Sequence, residues 1–151
     1  PTITTTFQVG VVKTDIVYLD ATSTREATDI DAQQYERGFN MLVRAANALY
    51  PPAVRLLAME YKLGRGTVAV DIQKAIDLYA HAATTGDDAY AKYGYAELYT
   101  EERIKGTQRD TELGALKWYR AARDQGYDYN NIHATITNLE SRQKLFLHLI
   151  K

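Results

Sequence analysis

The segment "KAIDLYAHAATTG" (residues 74–86) sets a leucine–tyrosine pair, Leu78 and Tyr79, ahead of an alanine pair, Ala82 and Ala83, and closes on Gly86. Forty residues on, "GALKWYRAARDQG" (114–126) repeats the arrangement: Ala75 aligns with Ala115, Leu78 with Trp118, Tyr79 with Tyr119, Ala82 with Ala122 and Gly86 with Gly126. Upstream the offset is 38, so that Ala53, Leu57, Ala58 and Tyr61 match Ala91, Tyr95, Ala96 and Tyr99. The intervening loops, "KLGRGTVAVD" and "TEERIKGTQRD", differ by one residue, and one more enters before Ala115, which absorbs the difference of two. Half a further copy precedes them in "RGFNMLVRAANAL" (37–49), where Arg37, Gly38, Met41, Leu42, Ala45 and Ala46 keep the rhythm at an offset of 37. Self-similarity at this period is the signature of a repeat array.

Each unit reads as two helices. Ala53, Leu57, Ala58 and Tyr61 form one apolar face of a 3.6-residue helix. Pro51 and Pro52 suit its first turn, where a missing N–H had no partner, and Gly64 and Gly66 end it. Asp71 suits the N-cap of the second helix, which buries Ala75, Leu78, Tyr79 and Ala82 and stops at Gly86. Asp110 and Gly126 are expected to punctuate the second copy in the same way. Paired alanines let helix axes approach closely, and the aromatic residue before them fills the wider gap. That alternation predicts stacked helical hairpins burying one another's faces.

These residues resemble the Sel-one-like repeat, a relative of the tetratricopeptide repeat. The pattern is A-x-x-x-L-[GA]-x-x-Y, a G-x-G loop, Asp, then K-A-x-x-[WL]-Y-x-x-A-A-x-x-G, and it covers about 37–126. Residues 74–86 match every anchor. Ala58 and Ala96 stand where glycine is frequent, Arg123 replaces the second alanine of its pair, and the second loop keeps Gly106 but loses the G-x-G. The resemblance implies a mainly α fold: an α-solenoid of stacked antiparallel helix pairs that scaffolds protein complexes. It implies no catalytic residues, because the repeat anchors are structural. It also leans the expected location toward a bacterial periplasm or cell envelope.

The expected organisation is an extended arm and linker at 1–33, a repeat array at 34–130 and a capping helix at 131–151. Within the array, a half unit occupies 34–50 and full units occupy 51–87 and 88–127. "TITTTFQVGVVKTDIVYLD" (2–20) alternates Ile3, Phe7, Val9 and Val11 with polar residues, and reads as a short β-like arm of one or two strands. Residues 21–33 are polar and linker-like, with room for the first helix to begin. At the far end Ile132, Ile136, Leu139, Phe146 and Ile150 keep near-helical spacing without the repeat anchors, as a degenerate terminal unit would.

Composition narrows the function. The chain has 151 residues, 25% charged and 46% hydrophobic, with a net charge of −1, so no overall basic field draws nucleic acid. Residues 1–36 carry two basic and six acidic side chains, and 103–151 carry nine basic and five acidic, a layout able to steer a partner. No cysteine is present, which removes disulfides, thiol nucleophiles and thiolate metal sites. No apolar run reaches the ~20 residues of a membrane span. The chain opens on Pro1, the expectation being a processed or trimmed product.

A catalytic reading finds no support in the residue pattern. His81, His133 and His148 lack ligand-type partners at helical spacing, and Ser23 and Ser141 lie in no nucleophile elbow. "GRG" at 64–66 lacks the Lys-Ser/Thr ending of a phosphate loop. Asp87-Asp88 and Glu101-Glu102 fall at helix ends, where carboxylates cap. The expectation is a non-enzymatic adaptor or scaffold, with no cofactor or metal, that takes a protein or peptide partner on its concave face. The first helices would present Arg55, Met59 and Lys62 in one copy and Tyr93, Glu97 and Thr100 in the next, each triplet at i, i+4, i+7. An immunity-type inhibitor, or an assembly chaperone for a secreted or envelope protein, is the alternative. Oligomeric state is left open.

Overall fold

The computed structural model describes residues 29–150, with side chains from residue 33. The described residues form six helices and the loops between them, with no strand: α1 (Asp29–Asn47), α2 (Pro51–Leu63), α3 (Ile72–Thr84), α4 (Ala89–Thr100), α5 (Gln108–Asp124) and α6 (Ile132–Leu149). The β-like arm expected at 2–20 lies outside them. Residues 29–33, expected within the linker, form the first turn of α1. The described residues fall into two compact units, the chain passing from the first to the second between Leu78 and Tyr79 of α3.

In the first unit α1 packs on α2. Tyr35, Leu42, Ala45 and Ala46 are buried on α1, and Ala53, Val54, Leu57 and Ala58 on α2. Pro51 and Pro52 open α2, and Gly64 closes it in the left-handed conformation (φ 65°), its N–H donating to the Glu60 carbonyl at 2.8 Å. The loop then returns to the helix, the Asp71 N–H donating to the Tyr61 carbonyl at 2.9 Å. Asp71 caps α3 as expected: its carboxylate accepts from the Lys74 N–H at 3.0 Å.

A polar knot sits inside this unit. Glu60 is 3% exposed; its carboxylate accepts from the Tyr35 hydroxyl at 2.7 Å and pairs with Arg65 at 2.8 Å. The same hydroxyl lies 2.8 Å from the Arg65 carbonyl, so one proton is shared between two acceptors. Burial, followed by the Glu60 hydrogen bond and charge, raises the Tyr35 pKa well above the usual tyrosine value. Gly66 (φ 60°) lies against the Tyr35 ring, where a Cβ would collide.

In the second unit α5 packs on both α4 and α6. The core joins Ala96 of α4, Ala115, Leu116, Tyr119 and Ala122 of α5, Tyr127, and Ile132, Ile136 and Leu139 of α6. Ala82 and Ala122, the matched methyls of the two copies, are both fully buried. Asp88 caps α4, accepting from the Tyr90 and Ala91 N–H groups at 2.8 and 3.1 Å. The left-handed residue after α3 is Asp87 (φ 51°) and not Gly86. Lys92, 8% exposed, holds that turn by donating to the Asp87 carboxylate at 2.5 Å and to Gln125 at 2.7 Å. The Lys92 hydrogen bond and charge push the Asp87 pKa below its usual value.

One expected boundary moves. Asp110 does not cap α5; Thr107 does, accepting from the Asp110 N–H at 3.2 Å while its hydroxyl donates to the Asp110 carboxylate at 2.6 Å. A T-x-x-D box fixes the helix start three residues before Asp110, the residue expected to cap it.

Candidate functional site

Helix α4 carries one of the two residue triplets expected to meet a partner. Its buried side is small, with Ala91, Gly94 and Ala96 inaccessible. Gly94 admits the buried Tyr79 ring, whose Cε1 lies 2.5 Å from where a Cβ would stand. With that side packed, Tyr93, Glu97 and Thr100 stand on another face of α4, about 10 Å from end to end at 1.5 Å per residue.

Tyr93 is half-buried. Its ring stacks on Tyr127 (centroids 4.4 Å apart, planes at 13°) and meets Tyr119 obliquely at 5.3 Å. Desolvation, then the nearby Glu97 charge, raises its pKa above the usual tyrosine value. Tyr119 is shifted up as well, chiefly by burial. Thr100 is exposed, its hydroxyl donating to the Glu97 carbonyl at 2.9 Å and lying 3.4 Å from the Tyr119 hydroxyl. The structure therefore makes the α4 triplet the rim of an aromatic cluster in place of an open polar face.

That cluster extends to residues the repeat pattern did not single out. Tyr90 (48% exposed) meets Tyr127 edge-on at 5.2 Å and stacks beside Tyr129 (58% exposed) at 6.1 Å. Asn130 steadies the group, donating to the Tyr127 hydroxyl at 2.8 Å. Tyr127 and Tyr129 lie in the loop between α5 and α6, where no helical period exists to reveal them; the surplus of tyrosine, 12 in the chain, was the available signal. At the other end of the triplet, Thr100 lines a cleft of about 620 Å³ with Tyr99, Glu102, Lys105, Glu112 and Arg142. Glu112 is held by Arg142 at 2.5 Å and by Gln143 and Gln108 at 2.9 and 3.1 Å.

In the first unit Arg55, Met59 and Lys62 share a face of α2 and are each half-buried. The histidines are dispersed. His81 is half-buried on α3, His133 pairs with Asp128 at 3.1 Å, and His148 is exposed near the end of α6. Among the described residues no group of three or more His, Asp or Glu is arranged to hold a metal ion, and no helix is long and apolar enough to cross a membrane.

No family model and no curated protein matches the chain. A solved structure of a Sel1 repeat protein from Oxalobacter formigenes does, with a TM-score of 0.52 and 22% sequence identity over 89% of this chain. The chain spans 58% of the length of that structure. At this identity the likeness is one of fold: the protein is a helical-repeat protein. Its fold is Sel1-like, as the residues of 37–126 imply.

Proposed function

We propose that this protein is an interaction module whose first helices hold a protein or peptide partner on the faces that carry Arg55, Met59 and Lys62 in one copy and Tyr93, Glu97 and Thr100 in the next. The observation that carries the reading is the α4 ridge, where Tyr93, Glu97 and Thr100 run from an aromatic cluster with two exposed rings to a polar cleft. Tyrosines stacked in place offer large contact area with little side-chain entropy left to lose. The cleft beside them supplies carboxylate, ammonium and guanidinium groups for the polar atoms of a peptide. Arg55, Met59 and Lys62 on α2 are the matching contact residues of the first unit in this reading. The role is that of a scaffold or adaptor, without a reaction of its own.

The test is affinity capture by the purified chain and by two variants, one combining Arg55→Glu with Lys62→Glu, the other combining Tyr90→Ser with Tyr129→Ser. Circular dichroism confirms that the variants fold. A specific partner retained by the unaltered chain and lost by either variant supports the reading; equal retention by all three contradicts it. The nature of the captured protein separates an adaptor from an immunity-type inhibitor or an assembly chaperone.

A further inference from the structure

Tyr90 and Tyr129 come together from the start of α4 and the α5–α6 loop, and both rings remain exposed. Each also meets the buried Tyr127 edge-on, at 5.2 and 5.5 Å, so the pair rests on a fixed base. The loop that brings Tyr129 there is strained. Asn130 and Asn131, the next two residues, both take the left-handed backbone that side chains disfavour (φ 53° and 55°). Strain of that kind persists where surrounding contacts over-determine it, and it collects at binding sites.

Exposed aromatic rings can serve an apolar partner or a cationic one, and the charges around them decide. From the turn before α4 to its C-cap (87–101), the chain carries Asp87, Asp88, Glu97 and Glu101 against Lys92 alone. The α5–α6 segment (123–133) adds Asp124 and Asp128 against Arg123 and His133. Even with His133 charged, six carboxylates against three cationic groups leave an excess of three negative charges. Those cations lie against carboxylates of the same segments: Lys92 on Asp87 at 2.5 Å, Arg123 on Asp124 at 2.8 Å and His133 on Asp128 at 3.1 Å. From α5, Arg120 lies against Glu140 at 2.5 Å and Lys117 over the Trp118 ring at 5.0 Å. Arg103 and Lys105 come after the other end of α4, beyond Thr100, which stands about 15 Å along the helix axis from Tyr90. The negative field reaches the rings. Burial, then the Glu97 charge, raises the Tyr93 pKa; at Tyr119 burial leads, the Thr100 hydrogen bond opposes it, and Glu97 and Glu101 add to it.

We propose that this cluster takes a cationic segment of the partner, an arginine side chain lying on the Tyr90 and Tyr129 rings with its charge toward the surrounding carboxylates. The assignment rests on the reading of α4 as a contact helix and names the chemistry that helix selects. A guanidinium stacks on an aromatic face and is attracted by its quadrupole, and a negative surround adds to that attraction. Proline rings would cover the same faces but leave the negative charge unanswered. A second copy would set like charges together.

The experiment is selection of short displayed random peptides on the full chain, followed by fluorescence-polarisation titration of those enriched. Arginine-containing peptides are expected to dominate, with binding that weakens as salt rises. Replacing their arginines by citrulline, which keeps the planar shape without the charge, should weaken binding about threefold to tenfold. Tyr90→Ser/Tyr129→Ser should do the same and Asp128→Asn somewhat less; all three positions are exposed, and circular dichroism checks the fold. Enriched peptides that are proline-rich or acidic, and still need Tyr90 and Tyr129, overturn the cationic assignment while sparing α4 as a contact helix. Equal binding of arginine and citrulline peptides overturns it as well. If no enriched peptide responds to the tyrosine changes, the α4 reading falls with it.

Discussion

Tyr35 shows how much one side chain does in the first unit, because its hydroxyl serves a carboxylate that has almost no access to water. Tyr35→Phe removes a donor and leaves Glu60 to Arg65 alone. Loss of a hydrogen bond to a buried charge predicts a cost of about 1–3 kcal/mol, measured by urea unfolding. Tyr35, Tyr93 and Tyr119 also set a pH dependence. Their folded pKa values are raised above the ordinary value of 10.0, so the folded state keeps these protons longer than the unfolded chain does. Their contribution to stability is complete below pH 10 and is lost as pH climbs from there toward the folded pKa values. Thermal unfolding should therefore shift to lower temperature above pH 10, and tyrosinate absorbance should lag until the chain unfolds. Little of this was legible beforehand. Tyr35 precedes the repeat anchors, and its partner Glu60 aligns with Leu98 of the next copy, so no repeated pattern marks the pair.

At the scale of the element, the two copies solve one contact in two ways. In the first, the Tyr61 ring lies under the Lys74 ammonium, 4.5 Å from its centre. In the second, Gly114 aligns with Lys74, and the Tyr99 Cε1 lies 2.5 Å from where a Cβ would stand. Gly94 and Tyr79 repeat that geometry. Alanine ordinarily favours a helix over glycine by about 1 kcal/mol, but here the methyl would meet a ring. Gly94→Ala and Gly114→Ala are predicted to lower stability by about 1–3 kcal/mol, the first more because Tyr79 is buried and Tyr99 half-exposed. Helix ends give a second test: Asp88→Ala should cost about 1 kcal/mol and Thr107→Ala a similar amount, whereas Asp110→Ala should cost less. Both are read from chemical denaturation. The α2 to α5 sequence was legible because proline, glycine and alanine recur at fixed offsets. The α5 start was misread because taking Asp110 as the counterpart of Asp71 ignored Thr107, a threonine that caps equally well.

At the scale of the molecule, paired methyls decide the architecture. A chain whose helices are short and rich in alanine gains little from any one of them; its stability comes from faces that neighbours bury. That is why the repeat period carried the fold, even at 22% identity to a solved structure of the same type. The contact surfaces were less legible. Tyr93 looked like an open aromatic on a helix face, but stacking on Tyr127 requires knowing where the α5–α6 loop returns. The apolar end of α6 looked like a continuation of the core face, and only the fold reveals that Phe146 and Ile150 are exposed while Ile132, Ile136 and Leu139 are buried. The central claim is that Ala82 and Ala122 are equivalent close-contact points, and Ala82→Leu and Ala122→Leu test it most directly in denaturant unfolding. Each should lose about 1–3 kcal/mol or more from overpacking, while leucine at exposed Lys117 should change little. Unaltered stability in either alanine variant would contradict the account.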